Sequence, residues 1–114
     1  MKDTTSIETR LRDLVRGTGC PHIQNTGILS NEWTNAYLQL LDEAVEAFDG
    51  EPCLPREIVL DVYLVRLRFG GAYEEWLFNG GASNEQTALN VNRVQGQSGS
   101  FLMSALKSKP KPAA

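Results

Sequence analysis

Apolar residues recur at helical spacing through most of the 114-residue chain. In the first such segment, residues 6–16, the apolar positions Ile7, Leu11, Leu14 and Val15 fall at i, i+4, i+7 and i+8. That spacing places them on one face of a helix. We therefore predict an amphipathic helix here, followed by a glycine- and proline-punctuated loop over residues 17–29.

The longest apolar stripe follows that loop and predicts the second helix. Its members recur every three or four residues, which is typical of a helix with one buried face. They are Trp33, Tyr37, Leu40, Leu41, Ala44, Val45 and Phe48. Ser30 or Asn31 is expected to cap the start of this helix, because short polar side chains can accept the first free N–H groups. Gly50 and Pro52 are expected to end it.

Residues 55–78 admit two interpretations. The β-branched residues between Pro55 and Phe69 favour a strand, and a hairpin through Gly70 and Gly71 would then follow. Helical spacing instead gathers the polar residues of this segment into one narrow stripe and leaves Arg66 on the opposite side. We predict a largely buried helix over residues 55–69 and a short helix over 72–78, with the hairpin as the alternative.

The remaining chain predicts short helices joined by glycine-rich segments. Asn79, Gly80 and Gly81 are a strong stop signal. Ser83 and Gln86 have the spacing of a capping box, which leads into a helix over residues 87–95. Residues 96–100 are expected to be a flexible link, and residues 101–106 a short docking helix.

These elements predict an all-α fold, a single small bundle of about four to six helices over residues 1–106. The alternative is an α+β fold with a hairpin formed by residues 58–78. Residues 107–114 are expected to form a disordered basic tail, because their Pro and Lys content offers nothing to bury. The length of the chain suits one domain that needs no metal or disulfide to stabilise its core.

Charge is distributed unevenly over the chain. Residues 17–55 contain no Lys or Arg but six carboxylates, and four of these crowd into the second half of the second helix: Asp42, Glu43, Glu46 and Asp49. Like charges at i,i+3 and i,i+4 repel, and the helix dipole disfavours negative charge near a C-terminus. A compensating cation is therefore expected, either on a basic partner or among the arginines Arg10, Arg12, Arg16, Arg56 and Arg66 of the same chain.

The acidic surface favours a protein-interaction function. We predict a small module, such as an adaptor, an inhibitor or an immunity-type protein, that presents this helix surface to a basic protein. Tyr73 and Trp76 are further candidate partner-binding residues, because their segment is short and bracketed by glycine pairs. Homodimerisation is another option for the aromatic-rich helical faces.

A second hypothesis centres on Arg66. An arginine on a side rich in Val, Leu and Tyr needs a partner, because arginine is seldom buried alone. An internal ion pair with Asp42, Glu46 or Asp49 would supply one. Alternatively, Arg66 would hold an anionic ligand in a small-molecule or enzymatic site, and that ligand would be its partner.

No motif in the chain fixes a reaction. Cys20, His22 and Cys53 are too few for a structural zinc site, which usually takes four ligands, so we predict no metal and no cofactor. The segment around Ser98 lacks the final glycine of a nucleophile elbow. Residues 1–106 hold 8 basic and 14 acidic groups, a net charge of −6, which disfavours nucleic-acid binding.

The chain shows no signal of targeting. Its first residues lack the apolar region of a signal peptide, and no apolar run approaches the length of a membrane span. We therefore expect a cytoplasmic protein that does not enter the membrane. Cys20 and Cys53 would then be free thiols, although their spacing does not exclude a disulfide.

Overall fold

The structure is a computed structural model that describes residues 5–49 and 54–107. The elements are α1 (Thr5–Arg16), α2 (Ile23–Thr26), α3 (Asn31–Ala47), α4 (Arg56–Phe78) and α5 (Glu85–Lys107). Within these ranges the chain forms no strand. The predicted all-α fold is confirmed, and the alternative hairpin over residues 58–78 is wrong, because α4 is helical throughout that segment.

The four long helices form a ring in which each has two neighbours. Helix α1 packs against α3 and α4, and α5 packs against the same two helices. Helices α3 and α4 therefore lie diagonally opposite each other across the bundle. The single-turn helix α2 packs on α4.

An aromatic cluster fills the centre between the diagonal helices. Trp33 of α3 stacks on Tyr37 with their ring centroids 5.1 Å apart, and it lies 5.0 Å from the ring of Phe69 on α4. The indole Nε1 of Trp33 donates a hydrogen bond to the carbonyl oxygen of Leu14 at 3.1 Å. One side chain thus links α1, α3 and α4.

Helix α4 runs without a break through Gly70 and Gly71, where two separate helices were predicted. Its buried face continues across the glycines, since Val65, Phe69 and Tyr73 keep helical spacing on both sides of them. Each glycine disfavours a helix by about 1 kcal/mol relative to alanine. Burial of an aromatic side chain on each side outweighs that cost.

Helix α5 is likewise continuous, so the predicted flexible link at residues 96–100 is wrong. Val91, Val94, Ser98 and Phe101 are all buried and recur every three or four residues. This seam holds the glycine-rich segment helical because an unfolded link would expose Phe101. The predicted tail at 107–114 is described only at Lys107, which ends α5.

The predicted capping signals are partly right. The Ser30 Oγ accepts a hydrogen bond from the backbone N–H of Trp33 at 3.1 Å, which identifies Ser30 as the cap of α3. At α5, the cap is Asn84 in place of Ser83, since the Asn84 Oδ1 accepts from the N–H of Thr87 at 2.9 Å. Gly50 and Pro52, expected to end α3, lie outside the described residues.

The loop predicted over residues 17–29 contains the helix α2, which sequence spacing did not reveal. Gly27 ends α2 in the left-handed conformation at φ 67°. It also lies directly against the indole of Trp76, where any Cβ atom would collide with the ring. A glycine is therefore required here both for its backbone angle and for its lack of a side chain.

Candidate functional site

The outer surface at the C-terminal end of α3 carries the predicted acidic cluster. Asp42, Val45, Glu46 and Asp49 are exposed and recur every three or four residues, with Asp49 in the turn that follows the helix. We call these four residues the acidic face. Val45 is 55% exposed, so the acidic face also offers an apolar contact among its carboxylates.

Glu43, the fourth predicted carboxylate, turns sideways towards α1. Its Oε1 lies 2.8 Å from the Nη2 of Arg10, and its Oε2 accepts a second hydrogen bond from Nη1 at 3.4 Å. Both side chains are largely open to solvent, so the pair contributes at most about 1 kcal/mol to stability. Within the described residues, Arg10 of the same chain therefore pairs with Glu43 of the predicted cluster.

The other arginines of α1 point to α4. The Nη2 of Arg16 lies 3.0 Å from Glu57 Oε2, and its Nε lies 2.8 Å from Asp61 Oδ1. Arg12 reaches Glu57 at 4.0 Å. The hydrogen bond that Arg16 donates to Glu57 and the negative charge of Asp61 together raise the pKa of Arg16. These two arginines are therefore not available to the acidic face.

Asp61 is a buried carboxylate that the sequence analysis did not single out. It is 1% exposed, and burial raises its pKa against the opposing effect of Arg16. Helical spacing predicts that Asp61 lies on the polar stripe of this segment. Its apolar neighbours at i−3, i+1 and i+4, which are Ile58, Val62 and Val65, were the signal that could have located it near the buried face.

A second buried polar contact joins α3 and α5. The hydroxyl groups of Tyr37 and Ser98 lie 2.7 Å apart, and both side chains are fully buried. Burial raises the pKa of Tyr37 well above its ordinary value, although the hydrogen bond with Ser98 opposes the shift. The pair is a neutral hydrogen bond that aligns two helices, and Ser98 is not placed to act as a nucleophile.

The structure places Tyr73 and Trp76, the other predicted partner-binding residues, on the inner side of α4. Tyr73 is 8% exposed, and its hydroxyl group donates to the carbonyl of Asn84 at 3.1 Å and accepts from the N–H of Asn84 at 2.9 Å. The indole of Trp76 is half-buried and donates to the carbonyl of Ala82 at 2.9 Å. Both side chains hold the α4–α5 connection, and their role in partner binding stays a prediction.

Arg66 lies on the surface, at the edge of an open groove between α4 and α5. The groove has a volume of about 520 Å³ and includes Gly99, Ser100 and Met103. Within the described residues the Arg66 guanidinium forms no ion pair. The internal pair predicted with the α3 carboxylates is absent there because α3 and α4 lie diagonally across the bundle.

A smaller cleft of about 210 Å³ brings Cys20, His22 and Arg68 together beside Phe69. Burial raises the pKa of the Cys20 thiol, although the charge of Arg68 opposes this. The Cys20 Sγ lies 3.6 Å from the carbonyl oxygen of Pro21. A thiol with a raised pKa is a poor nucleophile at neutral pH, so the cleft lacks an activated group. Cys53 lies outside the described residues.

Comparison with other proteins adds no family to this description. No protein-family model, no curated protein and no solved structure matches the chain. Within the described residues, no group of three His, Cys, Asp or Glu side chains is placed to hold a metal ion. No helix in that part of the chain is long and apolar enough to cross a membrane.

Proposed function

We propose that the protein is an interaction module that binds a basic protein surface through its acidic face. The observation that carries this proposal is the use of the α1 arginines elsewhere. Arg10 pairs with Glu43, while Arg12 and Arg16 pair with carboxylates of α4. In the described part of the chain, Asp42 and Asp49 therefore lie exposed without an arginine or lysine beside them.

A basic partner would relieve two unfavourable terms at once. The carboxylates repel each other along the helix, and they stand near the negative end of the α3 dipole. Positive side chains on a partner would add attractive interactions that offset both terms, and Val45 would supply an apolar centre to the contact. Complementary charge of this kind mainly speeds association and selects the partner.

The test is a quantitative co-purification from the native host with matched variants. Asp42→Lys/Asp49→Lys reverses the charge of the acidic face, and Glu75→Lys/Glu85→Lys makes the same change in charge at exposed sites elsewhere. We expect a basic protein to be retained by the wild type and by the control variant but lost from the acidic-face variant. Raising the salt concentration should also release it.

A loss of partner binding must be distinguished from a loss of folding. Asp42 and Asp49 are exposed, so their reversal should leave the melting temperature of the protein nearly unchanged. Retention of the same proteins by the wild type and the acidic-face variant would contradict the proposal. A large drop in melting temperature would instead identify the carboxylates as part of the internal stability of the fold.

The groove beside Arg66 supports a second candidate function, the binding of a small anion. The specific observation is the absence of any ion pair of Arg66 within the described residues, in an open groove that also offers the hydroxyl group of Ser100. Titration with inorganic phosphate, followed by NMR, should shift the resonances of Gly99 and Ser100 in the wild type and not in Arg66→Gln. An unshifted wild-type spectrum would exclude phosphate binding at this groove.

A further inference from the structure

Helix α4 has a second apolar stripe, on the side that faces away from the bundle. Leu60, Tyr63 and Leu67 are 37%, 50% and 58% exposed, and they recur at i, i+3 and i+7. Gly71, which is exposed and has open space beside it, continues the same side of the helix towards its C-terminus. A surface helix normally confines apolar residues to its buried face, and a contiguous exposed stripe marks an interaction surface.

Opposite charges lie at the two ends of this stripe. Arg56 stands in the first turn of α4, and Glu74 follows 18 residues later, which is five helical turns or about 27 Å. Five whole turns return the chain to the same side, so both groups share the stripe. Both are exposed, and neither forms an ion pair within the described residues.

We define the outer α4 face as Arg56, Leu60, Tyr63, Leu67, Gly71 and Glu74. We propose that this face binds a second copy of the same chain, with the two α4 helices antiparallel about a two-fold axis near Val65. A two-fold interface must be complementary to itself, because each copy presents the same residues. The outer α4 face meets that requirement in charge and in size.

The antiparallel register pairs every large or charged group with a suitable partner. The two-fold axis passes the outer surface of α4 at the level of Val65, so residue i of one copy faces residue 130 − i of the other. Arg56 therefore lies opposite Glu74 of the second copy at both ends. Leu60 then lies close to Gly71 of the second copy, which has open space beside it and allows the helices to approach closely, whereas Gly70 faces the Gln95 side chain of α5. Tyr63 meets Leu67, which buries an aromatic ring against an aliphatic side chain.

The same charges disfavour a parallel arrangement. It would place Arg56 beside Arg56 and Glu74 beside Glu74, so like charges would repel at both ends of the contact. The antiparallel register instead places Arg56 opposite Glu74 at both ends. This self-complementarity in charge favours a second copy over a partner of other sequence.

The proposed dimer leaves the acidic face open and goes beyond the function proposed above. Helices α3 and α4 are diagonal in the bundle, so two copies joined through α4 carry their acidic faces on the far sides of the assembly. Contact along five helical turns is at the small end of specific interfaces. We therefore expect a dimer that dissociates on dilution.

The test is a charge swap followed by sedimentation equilibrium of the full chain. Arg56→Glu and Glu74→Arg should each weaken the dimer at least tenfold, because each places like charges together at both ends of the interface. The double variant Arg56→Glu/Glu74→Arg restores opposite charges and should restore the wild-type dissociation constant to within about threefold. Arg93→Glu, at an exposed position of α5, is the control and should leave the dimer unchanged.

Two further measurements complete the test. Leu67→Glu should abolish the dimer without loss of helical circular dichroism, because Leu67 is exposed in the single chain. Wild-type protein that sediments as a monomer up to millimolar concentration would overturn the proposal, and so would a double variant no stronger than the single ones. Neither result bears on the acidic face, whose variants are tested by co-purification.

Discussion

At the residue scale, Asp61 is the most constrained charge in the protein. Its carboxylate is buried and lies 2.8 Å from the Arg16 Nε, a distance that defines an ion pair. Neither of its oxygens accepts a well-aligned hydrogen bond from the described residues. A buried charge with one partner depends strongly on that partner, because removal of the partner leaves the desolvation cost uncompensated.

We therefore predict an asymmetry between two substitutions of this pair. Arg16→Met leaves Asp61 buried and unpaired, and it should lower the free energy of unfolding more than Asp61→Asn does. In Asp61→Asn the remaining Arg16 can turn to solvent and keep Glu57. Urea denaturation measures both values, with Arg93→Met as the surface control. Equal losses in the two variants would show that the Asp61 carboxylate is not buried as described.

Asp61 also predicts a pH dependence of stability. Burial raises its pKa in the folded state above the ordinary carboxyl value of 3.8, so the folded protein binds a proton more readily than the unfolded chain. The contribution of Asp61 to stability should therefore increase as the pH falls through the folded pKa, and be lost as the pH rises through it. The stability of wild type minus that of Asp61→Asn, measured from neutral pH to about 4, should rise on acidification. A flat difference would contradict the raised pKa.

A second prediction at this scale concerns Asn90, which is fully buried on α5. Its Nδ2 donates to the carbonyl of Leu29 and to the Asn31 Oδ1, both at 2.8 Å, and so holds the start of α3 against α5. Asn90→Ala leaves a buried carbonyl without its donor and should cost about 2–3 kcal/mol. Asn92 lies two residues further along α5, at an exposed position. Asn92→Ala should cost less than about 0.5 kcal/mol. Denaturant titration of both variants checks the difference.

At the scale of the element, the glycines of α4 and α5 show that local propensity was outweighed by packing. The sequence predicts interruptions at Gly70, Gly71 and residues 96–100, because glycine disfavours helices. The structure keeps both helices continuous, since the buried faces on either side of the glycines are in register. By contrast, the glycines with a positive φ, Gly27 and Gly80, follow the ends of α2 and α4.

Two alanine substitutions distinguish a glycine inside a continuous helix from a glycine at a helix end. Gly96 is exposed within α5 with open space around it, so Gly96→Ala should raise the free energy of unfolding by about 0.5–1 kcal/mol. Gly27→Ala should lower it, because the new methyl group would meet the Trp76 ring at a positive φ. Thermal unfolding followed by circular dichroism measures both shifts. A loss of stability in Gly96→Ala would argue against a continuous α5.

At the scale of the whole molecule, the diagonal placement of α3 and α4 decides both the core and the surfaces. It brings Trp33 and Phe69 together in the centre, although the backbones of their helices do not touch. It also separates the α3 carboxylates from Arg66. The arginines of α1 consequently form ion pairs with Glu43 and with the carboxylates of α4. The exposed acidic face and the outer α4 face consequently belong to different sides of the bundle.

The central aromatic cluster yields the prediction for the whole fold. Phe69→Ala removes a ring that contacts Trp33 across the bundle, and it should cost about 3–5 kcal/mol, which is a large part of the stability of a domain of this size. Phe78→Ala makes the same chemical change at a residue that is 91% exposed, and its cost should stay within about 0.5 kcal/mol. Guanidinium denaturation compares the two. Similar costs would contradict the arrangement of the core.

The spacing of residues along the chain was enough to predict an all-α fold, the positions of α1 and α3, and a cluster of carboxylates at the end of α3, because these features depend on the pattern within a single helix. Tertiary structure alone decided which arginine meets which carboxylate, since Arg10, Arg12 and Arg16 occupy neighbouring turns of one helix yet serve two different neighbours. It also decided that Asp61 is buried and that glycine-containing segments stay helical. These outcomes depend on which helices lie side by side, and that arrangement is set by the packing of the whole core.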